Sequence, residues 1–326
     1  RFLSTAHTDE DIELVIRVVK ESVVEMQMGG FFPSPTNTRS NEDIPSLLTV
    51  PMTEAQKELW FMAQMGDEAS RAYNISKTIH LRGSSNLQAV RKAVQEIVNR
   101  HEALRTTFSP EGDYQRIHST LIIDIPFSDL SALEPSKREA KLSEFLVQES
   151  QQTFDLEKGP LLRAHIVKLE EQHYLLVLTN HHIVVDGWSF VILEKELAVI
   201  YLAECQGRTY QLPQPMKLSE YAQWEARQQQ SPKMAKAEAY WLEQFASSVP
   251  VLELPTDRPR QPVFTHAGAL QSTKISTSLS SDLKRLSKQC KCTLFTPLFA
   301  GYMALLQRLT GQEDLVVGIA SAGQSS

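Results

Sequence analysis

The sequence has no long apolar run, no cluster of basic residues and few cysteines. Its longest apolar runs, such as Leu197 to Ala203, have only five to seven residues, whereas a helix that crosses a bilayer needs roughly 18 apolar residues. A formal net charge of −6 without a basic block argues against a nucleic-acid partner. No signal-peptide pattern opens the chain, because four acidic residues fall within the first 13. These absences predict a cytoplasmic protein without a membrane partner.

Cysteine-based stabilisation is excluded as well. Cys205, Cys290 and Cys292 are too few for a disulfide framework, and the spacing of the last two does not match a zinc site. Apolar residues make up 42% of the 326 positions, which is enough for roughly two domains with packed cores. Helix-like and strand-like patterns occur together without an internal repeat, so we expect an α/β fold.

The amino-terminal 47 residues are predicted to lie outside the globular region. Residues 1–28 have the pattern of one helix, with Thr8 as its N-cap and apolar residues at helical spacing. Residues 29–47 include "GGFFPSPTNTRSNEDIPS", whose prolines, glycines and small polar residues favour extended backbone. We interpret the first segment as the last helix of a preceding domain and the second as a linker.

The rest of the chain is predicted to alternate between helices and strands. We expect helices in "TEAQKELWFMAQ", "SDLKRLSKQ" and "TPLFAGYMALLQRL", and strands in "YNISKTIHL", "LQSTKIS" and "DLVVGIA". The runs "LLRAHIVKL" and "HYLLVLTN" flank a short polar segment and predict a β-hairpin. Two further helices are predicted from their apolar faces, which are Leu87, Val90, Val94 and Ile97 in the first and Phe190, Leu193, Leu197 and Ile200 in the second.

The stretch "TNHHIVVDGWS" is the strongest candidate for a functional site. Consecutive side chains of an extended segment point to opposite faces, so His181 and His182 are not expected to bind one metal ion. The polar end of the strand, an Asp-Gly turn and a helix that begins at Asp186 occupy the place where α/β proteins put their sites. Asp186 can cap this helix or hold a charged partner that keeps the loop in place. Two interpretations remain open from the residues alone: one histidine is catalytic, or both are core histidines at a strand end.

Several motifs, in order along the chain, carry a family resemblance. Residues 181–187 match the HHxxxDG signature, and "RHEALRTTF" is similar to an RHExLRTxF motif. "MTEAQKELW" resembles SxAQxRLW, "LSEYAQW" resembles YxDYAxW, "LPTDRPRQP" resembles an inter-lobe segment, and "VVGIASAGQ" resembles IGxPxAGR. Together they resemble the condensation domains of non-ribosomal peptide synthetases. "RFLSTAHTDEDIELVI" resembles the C-terminal tail of a class III aminotransferase, as in a hybrid polyketide/peptide synthetase.

The resemblance implies a chloramphenicol-acetyltransferase-like fold of two lobes with a tunnel between them. We expect a complete first lobe at residues 48–225 and a partial second lobe at residues 226–326. The implied reaction joins a carrier-bound acyl or aminoacyl thioester donor to a carrier-bound aminoacyl acceptor through an amide bond. Both substrates would be held on the 4'-phosphopantetheine of carrier proteins, with no cofactor or metal bound directly. The implied partners are upstream and downstream carrier domains and neighbouring adenylation and aminotransferase domains.

The resemblance also assigns roles to the residues of the motif. His182 is the catalytic residue, as base or as stabiliser of the intermediate, and His181 is structural. Asp186 is expected to form a buried ion pair, with Arg105 as the first candidate partner, that holds the shape of the loop. Gly187 would let the backbone approach the substrate.

Three further residues are assigned to the substrate tunnel: Trp188, Ser189 and Gln324. Trp188 fits a packing aromatic better than a substrate contact. Gln324 replaces an arginine that the family often has, and we interpret that arginine as dispensable here.

Other functions share parts of this pattern. An epimerisation domain also has HHxxxDG, and a docking module without catalysis would bind the same carriers. A heterocyclisation domain would have aspartates in place of the histidines. A simple acyl-CoA acyltransferase would not need "RHEALRTTF" or "LSEYAQW".

Overall fold

The computed structural model describes residues 47–247, 249–259 and 268–319. The predicted helix at residues 1–28 and all but the last residue of the linker therefore lie outside the described residues. The described residues fall into two compact units that divide between Ala237 and Glu238, later than the boundary predicted after residue 225.

The first unit contains two β-sheets. The strands are β1 (Leu48–Pro51), β2 (Asn74–Arg82), β3 (Thr106–Phe108), β4 (Tyr114–Ile117), β5 (Phe127–Asp129), β6 (Leu162–Glu170) and β7 (His173–His181). The four-stranded sheet has the order β2-β7-β6-β5, and the three-stranded sheet has the order β1-β4-β3. All neighbouring strands are antiparallel except β5 and β6, which are parallel.

Helices cover both faces of the four-stranded sheet. The first unit holds α1 (Glu54–Ala63), α2 (Asp67–Arg71), α3 (Leu87–Arg100), α4 (Pro135–Gln151), α5 (Gly187–Gln206) and α6 (Leu218–Gln229), and a 3₁₀ turn at Glu102–Arg105. Apolar residues of α3 and α5 pack in one core with Ile166 of β6 and Leu176 of β7. On the other face, Leu175 and Val177 pack against α4. Because strand side chains alternate between faces, β7 is buried on both sides, which explains its nearly continuous apolar run.

The predicted hairpin and both apolar stripes are confirmed. Strands β6 and β7 pair in antiparallel register, and Phe190, Leu193, Leu197 and Ile200 of α5 are buried. The predicted start of this helix is also confirmed, because Asp186 is its N-cap. At the other end, Gly207 has a φ of 60° and ends the helix in the left-handed conformation that favours glycine.

The regular secondary structure in the described part of the second unit is helical. The helix α7 (Pro232–Gln244) crosses the division between the units, and α8 (Thr277–Gln289) and α9 (Phe295–Thr310) follow. The strand prediction for "LQSTKIS" is wrong, since residues 270–276 pair with no strand in the described parts of the chain. Residues 314–319 of "DLVVGIA" also form no strand there, and the last residue of that segment lies outside the described residues. A strand needs a hydrogen-bonded neighbour, and Leu270 in the first of these segments is 91% exposed.

No helix among the described residues combines the length and the apolarity that crossing a membrane requires.

Candidate active site

The two histidines lie at the end of the strand that is buried on both faces. His181 is the last residue of β7 and is paired with Asn74 of β2. The backbone N–H of His181 donates to the Leu161 carbonyl at 3.2 Å, and that of His182 donates to the Tyr73 carbonyl at 2.8 Å. His181 is fully buried and His182 is exposed. The prediction that they face opposite sides is therefore confirmed, and only His182 is accessible to a substrate.

The ring of His181 is held as a neutral imidazole. Its Nδ1 accepts a hydrogen bond from the backbone N–H of Ile183 at 3.2 Å, which places the ring proton on Nε2. Burial, reinforced by the neighbouring His182, lowers the pKa of His181 to about 4, and the nearby Ser70 carbonyl opposes this only in part. Nε2 has no partner within hydrogen-bond geometry among the described residues. A buried neutral ring of this kind supports the structure and does not exchange protons at neutral pH.

His181 predicts a pH dependence of stability. A histidine with a pKa near 6.5 in the unfolded chain and about 4 in the folded chain binds its proton first in the unfolded state. Its contribution to stability is therefore complete above pH ~6.5 and is lost as the pH falls towards ~4. A shift of this size corresponds to about 3 kcal/mol. We expect His181→Asn, whose side chain is still an acceptor but cannot be charged, to reduce this pH dependence of the unfolding free energy, measured by urea denaturation at pH 4 to 7.

His173→Asn is the matched control, because His173 lies at the opposite, more accessible end of the same strand. Equal pH dependence in the wild type and His181→Asn would contradict a buried neutral His181.

Asp186 forms the amino-terminal cap of α5. Its Oδ1 accepts hydrogen bonds from the Ser189 backbone N–H at 2.7 Å and from the Ser189 hydroxyl at 2.6 Å. The Ser189 hydroxyl lies 3.2 Å from the Asp186 backbone N–H, which completes a reciprocal capping box. Burial alone would raise the pKa of Asp186, but the bonds from Ser189 and the proximity of His182 outweigh it, so the pKa is lowered. Asp186 is therefore a carboxylate that fixes the loop after the histidines.

The predicted ion pair between Asp186 and Arg105 is not formed. The Arg105 guanidinium donates instead to the backbone carbonyls of Val98, Asn99, His118 and Ser119. The first two of these carbonyls belong to the last turn of α3, where unpaired carbonyls and the helix dipole favour a cation. Arg105 thus joins the end of α3 to the loop after β4, and a cap takes the place of the ion pair at Asp186.

The next two residues border the exposed side of the loop. A Cβ atom built on Gly187 would meet no other atom within 4 Å, so this side of the helix start is open. Trp188 is 68% exposed, and the interpretation of this side chain as a packing residue is therefore wrong. Ser189, which the sequence analysis assigned to the tunnel, donates its hydroxyl and backbone N–H to the Asp186 carboxylate. Gln324 lies outside the described residues.

Sequence reasoning missed a buried anchor on α5. Glu196 accepts hydrogen bonds from Arg100 Nε at 3.0 Å and from His101 Nε2 at 2.9 Å. Glu102, which follows His101 in the sequence, accepts a hydrogen bond from the backbone N–H of Ser219 at the start of α6. Arg100 and His101 therefore anchor α5, the helix that Asp186 caps, and Glu102 anchors α6. One feature of the sequence could have revealed this anchor, because Glu196 is a single acidic residue within the otherwise apolar, buried stripe of α5.

No group of three or more histidine, cysteine or carboxylate side chains in the described segments could hold a metal ion.

The chain is similar to known proteins over most of its length. A family model described as Condensation domain matches residues 47–326. One of the linear gramicidin synthase proteins of Brevibacillus parabrevis is 38% identical over 285 residues, which are 86% of this chain and 4% of that protein. Gramicidin S synthase 2 of Aneurinibacillus migulanus is 32% identical over 327 residues, which are 99% of this chain and 7% of that protein. The chain thus spans a small fraction of these relatives.

Solved structures agree with the family match. The SgcC5 protein of Streptomyces globisporus has a TM-score of 0.63 at 26% identity, over 80% of this chain and 60% of that chain. The starter condensation domain of rhizomide synthetase RzmA has a TM-score of 0.56 at 25% identity, over 63% of this chain and 51% of that chain. The mixed α/β fold therefore matches that of condensation-domain structures.

Proposed function

Since the chain belongs to the condensation-domain family, a family of acyltransferases that form peptide bonds in natural-product biosynthesis, we propose that His182 catalyses amide formation here. The donor is a carrier-bound acyl or aminoacyl thioester, and the acceptor is a carrier-bound aminoacyl group. The observation that carries this proposal is the contrast between the two histidines, since one is buried and neutral and the other is exposed beside an open helix start.

The proposed reaction needs few catalytic side chains. The acceptor amine attacks the thioester carbonyl, a C–N bond forms, and the C–S bond breaks to release a thiol. His182 takes the proton that the amine loses, or donates a hydrogen bond to the charged intermediate. The Asp186 carboxylate, which the bonds from Ser189 keep ionised, lies close enough to His182 to interact with it electrostatically. Gly187 leaves room for the reacting carbonyl, and the family's tunnel would bring the two substrates together.

The finer parts of the architecture belong to the same proposal. We propose that the chain has the chloramphenicol-acetyltransferase-like fold of its family, and that Trp188 and Ser189 border the path of the substrate beside His182. The substrates are presented on 4'-phosphopantetheine by upstream and downstream carrier domains, with adenylation and aminotransferase domains as neighbours. We also propose a cytoplasmic location.

The amino-terminal residues suggest the kind of assembly line. The family match begins at residue 47, and the segment before it resembles the tail of a class III aminotransferase. We propose that the parent is a hybrid polyketide/peptide synthetase whose donor carries a β-amino acyl chain. Sequencing the gene upstream of Arg1 tests this, because a pyridoxal-phosphate-binding domain must precede the segment.

The function itself is tested by transfer between loaded carriers. With acyl donor on the upstream carrier and amino acid on the downstream carrier of the intact parent module, we expect intact-protein mass spectrometry to show the donor mass moving to the downstream carrier. Exchange of the α-proton with deuterated solvent, without transfer, would replace this proposal with epimerisation. Neither transfer nor exchange, with both carriers fully loaded, would favour a docking module.

A further inference from the structure

A charged and aromatic cluster lies directly behind the histidines, outside every motif of the sequence. The ring of Phe154 packs edge-on against that of His181, with centroids 6.2 Å apart and planes at 86°. The guanidinium carbon of Arg163 lies 3.9 Å from the centroid of the Phe154 ring, within the range of a cation–π contact. Arg163 therefore supports the side chain that forms one wall around His181.

Arg163 is itself held firmly. Its Nε donates to Glu149 Oε1 at 2.6 Å, and the two side chains are only 23% and 12% exposed. Its Nη2 donates to the backbone carbonyls of Glu149 at 2.8 Å and Gln152 at 3.2 Å. These carbonyls lie at the carboxyl end of α4, where the helix dipole favours a positive charge. The guanidinium thus has one fixed position over Phe154.

The same segment is tied to the other neighbour of the histidine strand. Asn74, which pairs with His181, donates its side-chain amide to the carbonyls of Ser150 and Gln152, both at 2.8 Å. The end of α4 is therefore connected to β6 through Arg163 and to β2 through Asn74. Since β7 lies between these two strands, its last residue, His181, is flanked by β2 and β6, and Phe154 packs against its ring.

We propose that Arg163 is a positioning residue that acts through Phe154 on His181, and so sets the direction in which the adjacent His182 points into the reaction. The inference rests on the proposed amide-forming function. It follows from geometry, because His181 and His182 are consecutive and a tilt of the buried ring turns the backbone that carries the exposed one. A displacement of about 1 Å at a reacting group can cost a factor of 10² in rate.

The test uses the intact parent module with both carriers loaded. We expect Arg163→Met to lower kcat for transfer by about 30- to 100-fold, with the KM for the loaded acceptor carrier changed less than about threefold. Arg163→Lys keeps the charge and loses the planar fork, so its kcat should lie between those of the wild type and the methionine variant. An unchanged kcat in Arg163→Met would overturn the inference.

Arg138→Met is the matched control. Arg138 also joins α4 to β6, by donating to the Leu169 carbonyl at 2.9 Å and to Glu170 at 3.0 Å, but at the opposite end of the helix. If both variants lower kcat equally, loss of general stability explains the result and the positioning role fails. If Arg163→Met does not fold, the double variant Arg163→Met/Glu149→Gln removes the unpaired carboxylate and still leaves Phe154 without its cation.

A spectroscopic measurement separates this inference from the proposed function. Long-range ¹H–¹⁵N spectra of the histidine rings in the full chain should show His181 neutral with its proton on Nε2. We expect Arg163→Met to shift the His181 ring signals and Arg138→Met to leave them in place. Unshifted His181 signals would overturn the inference even where transfer is seen. A wild type without transfer, with these shifts present, would overturn the proposed reaction and leave the influence of Arg163 on His181 through Phe154 intact.

Discussion

His182→Ala is expected to reduce the rate of amide transfer by about 10²- to 10⁴-fold, the range for loss of a group that moves a proton in the transition state. The fold should be unaffected, because the His182 side chain is exposed and the structural contact at this position is the backbone bond to Tyr73. The measurement is single-turnover transfer between loaded carriers in the intact parent module, followed by mass spectrometry. Loading of both carriers must remain equal to that of the wild type.

A second substitution separates the two roles open to His182. His182→Gln retains a hydrogen-bond donor but does not accept a proton at neutral pH. If His182 is the base, the glutamine variant should be as slow as the alanine variant. If His182 stabilises the intermediate, the glutamine variant should be clearly faster than alanine.

His173→Ala provides the control, since His173 is at the other end of the same strand, where it contacts His80. Its transfer rate should match that of the wild type. A wild-type rate in His182→Ala would contradict the assignment of His182.

Local patterns predicted the frame around the site correctly. Two β-rich runs separated by a short polar segment can only bury their apolar residues as neighbours, so the hairpin followed from the sequence. The alternation of side chains along a strand likewise predicted that His181 and His182 occupy opposite faces. The cap at Asp186 was a recognised alternative, because an aspartate before an apolar helix stripe is a common helix start.

Features that depend on a distant partner could not be predicted. The family resemblance implied an ion pair at Asp186 with Arg105 as first candidate partner, but the Arg105 guanidinium donates to carbonyls at the end of α3 instead. The segment "LQSTKIS" has strand-like composition and no pairing neighbour among the described residues. Phe154 contacts His181, and Arg163 contacts Phe154, because α4 ends beside β6 and β2, and no local sequence pattern predicts that arrangement.

The anchor at Glu196 leads to the largest expected effect on stability. Its side chain and that of Arg100 are 11% and 14% exposed, and the two Arg100 nitrogens lie 3.0 and 3.4 Å from its oxygens. Burial alone would raise the pKa of Glu196, but the bonds from Arg100 and His101 outweigh it and lower the pKa. Glu196 is therefore ionised at neutral pH, and its stabilising effect is lost only as the pH falls through the lowered pKa, below the usual 4.5.

Glu196→Gln keeps the size of the side chain and leaves the Arg100 guanidinium buried without its counter-charge. Breaking a buried pair in this way costs about 3 kcal/mol or more. For a unit of this size that corresponds to a fall of roughly 6 to 12 °C in the thermal midpoint, measured by circular dichroism at neutral pH. Glu204→Gln is the control on the same helix, because its pair with Lys92 is 34% and 69% exposed and should contribute less than about 1 kcal/mol.

The two variants also connect stability to the site. Arg100 and His101 hold the middle of α5 through Glu196, and Asp186 caps the start of the same helix. Because the loop after His182 leads into this helix, weakening the contacts of Glu196 leaves that loop less well fixed. We expect Glu196→Gln to lower transfer at temperatures well below its own midpoint, whereas Glu204→Gln keeps wild-type transfer. Equal thermal midpoints in the two variants would show that Glu196 is not the anchor, and the "RHE" residues would then need another explanation.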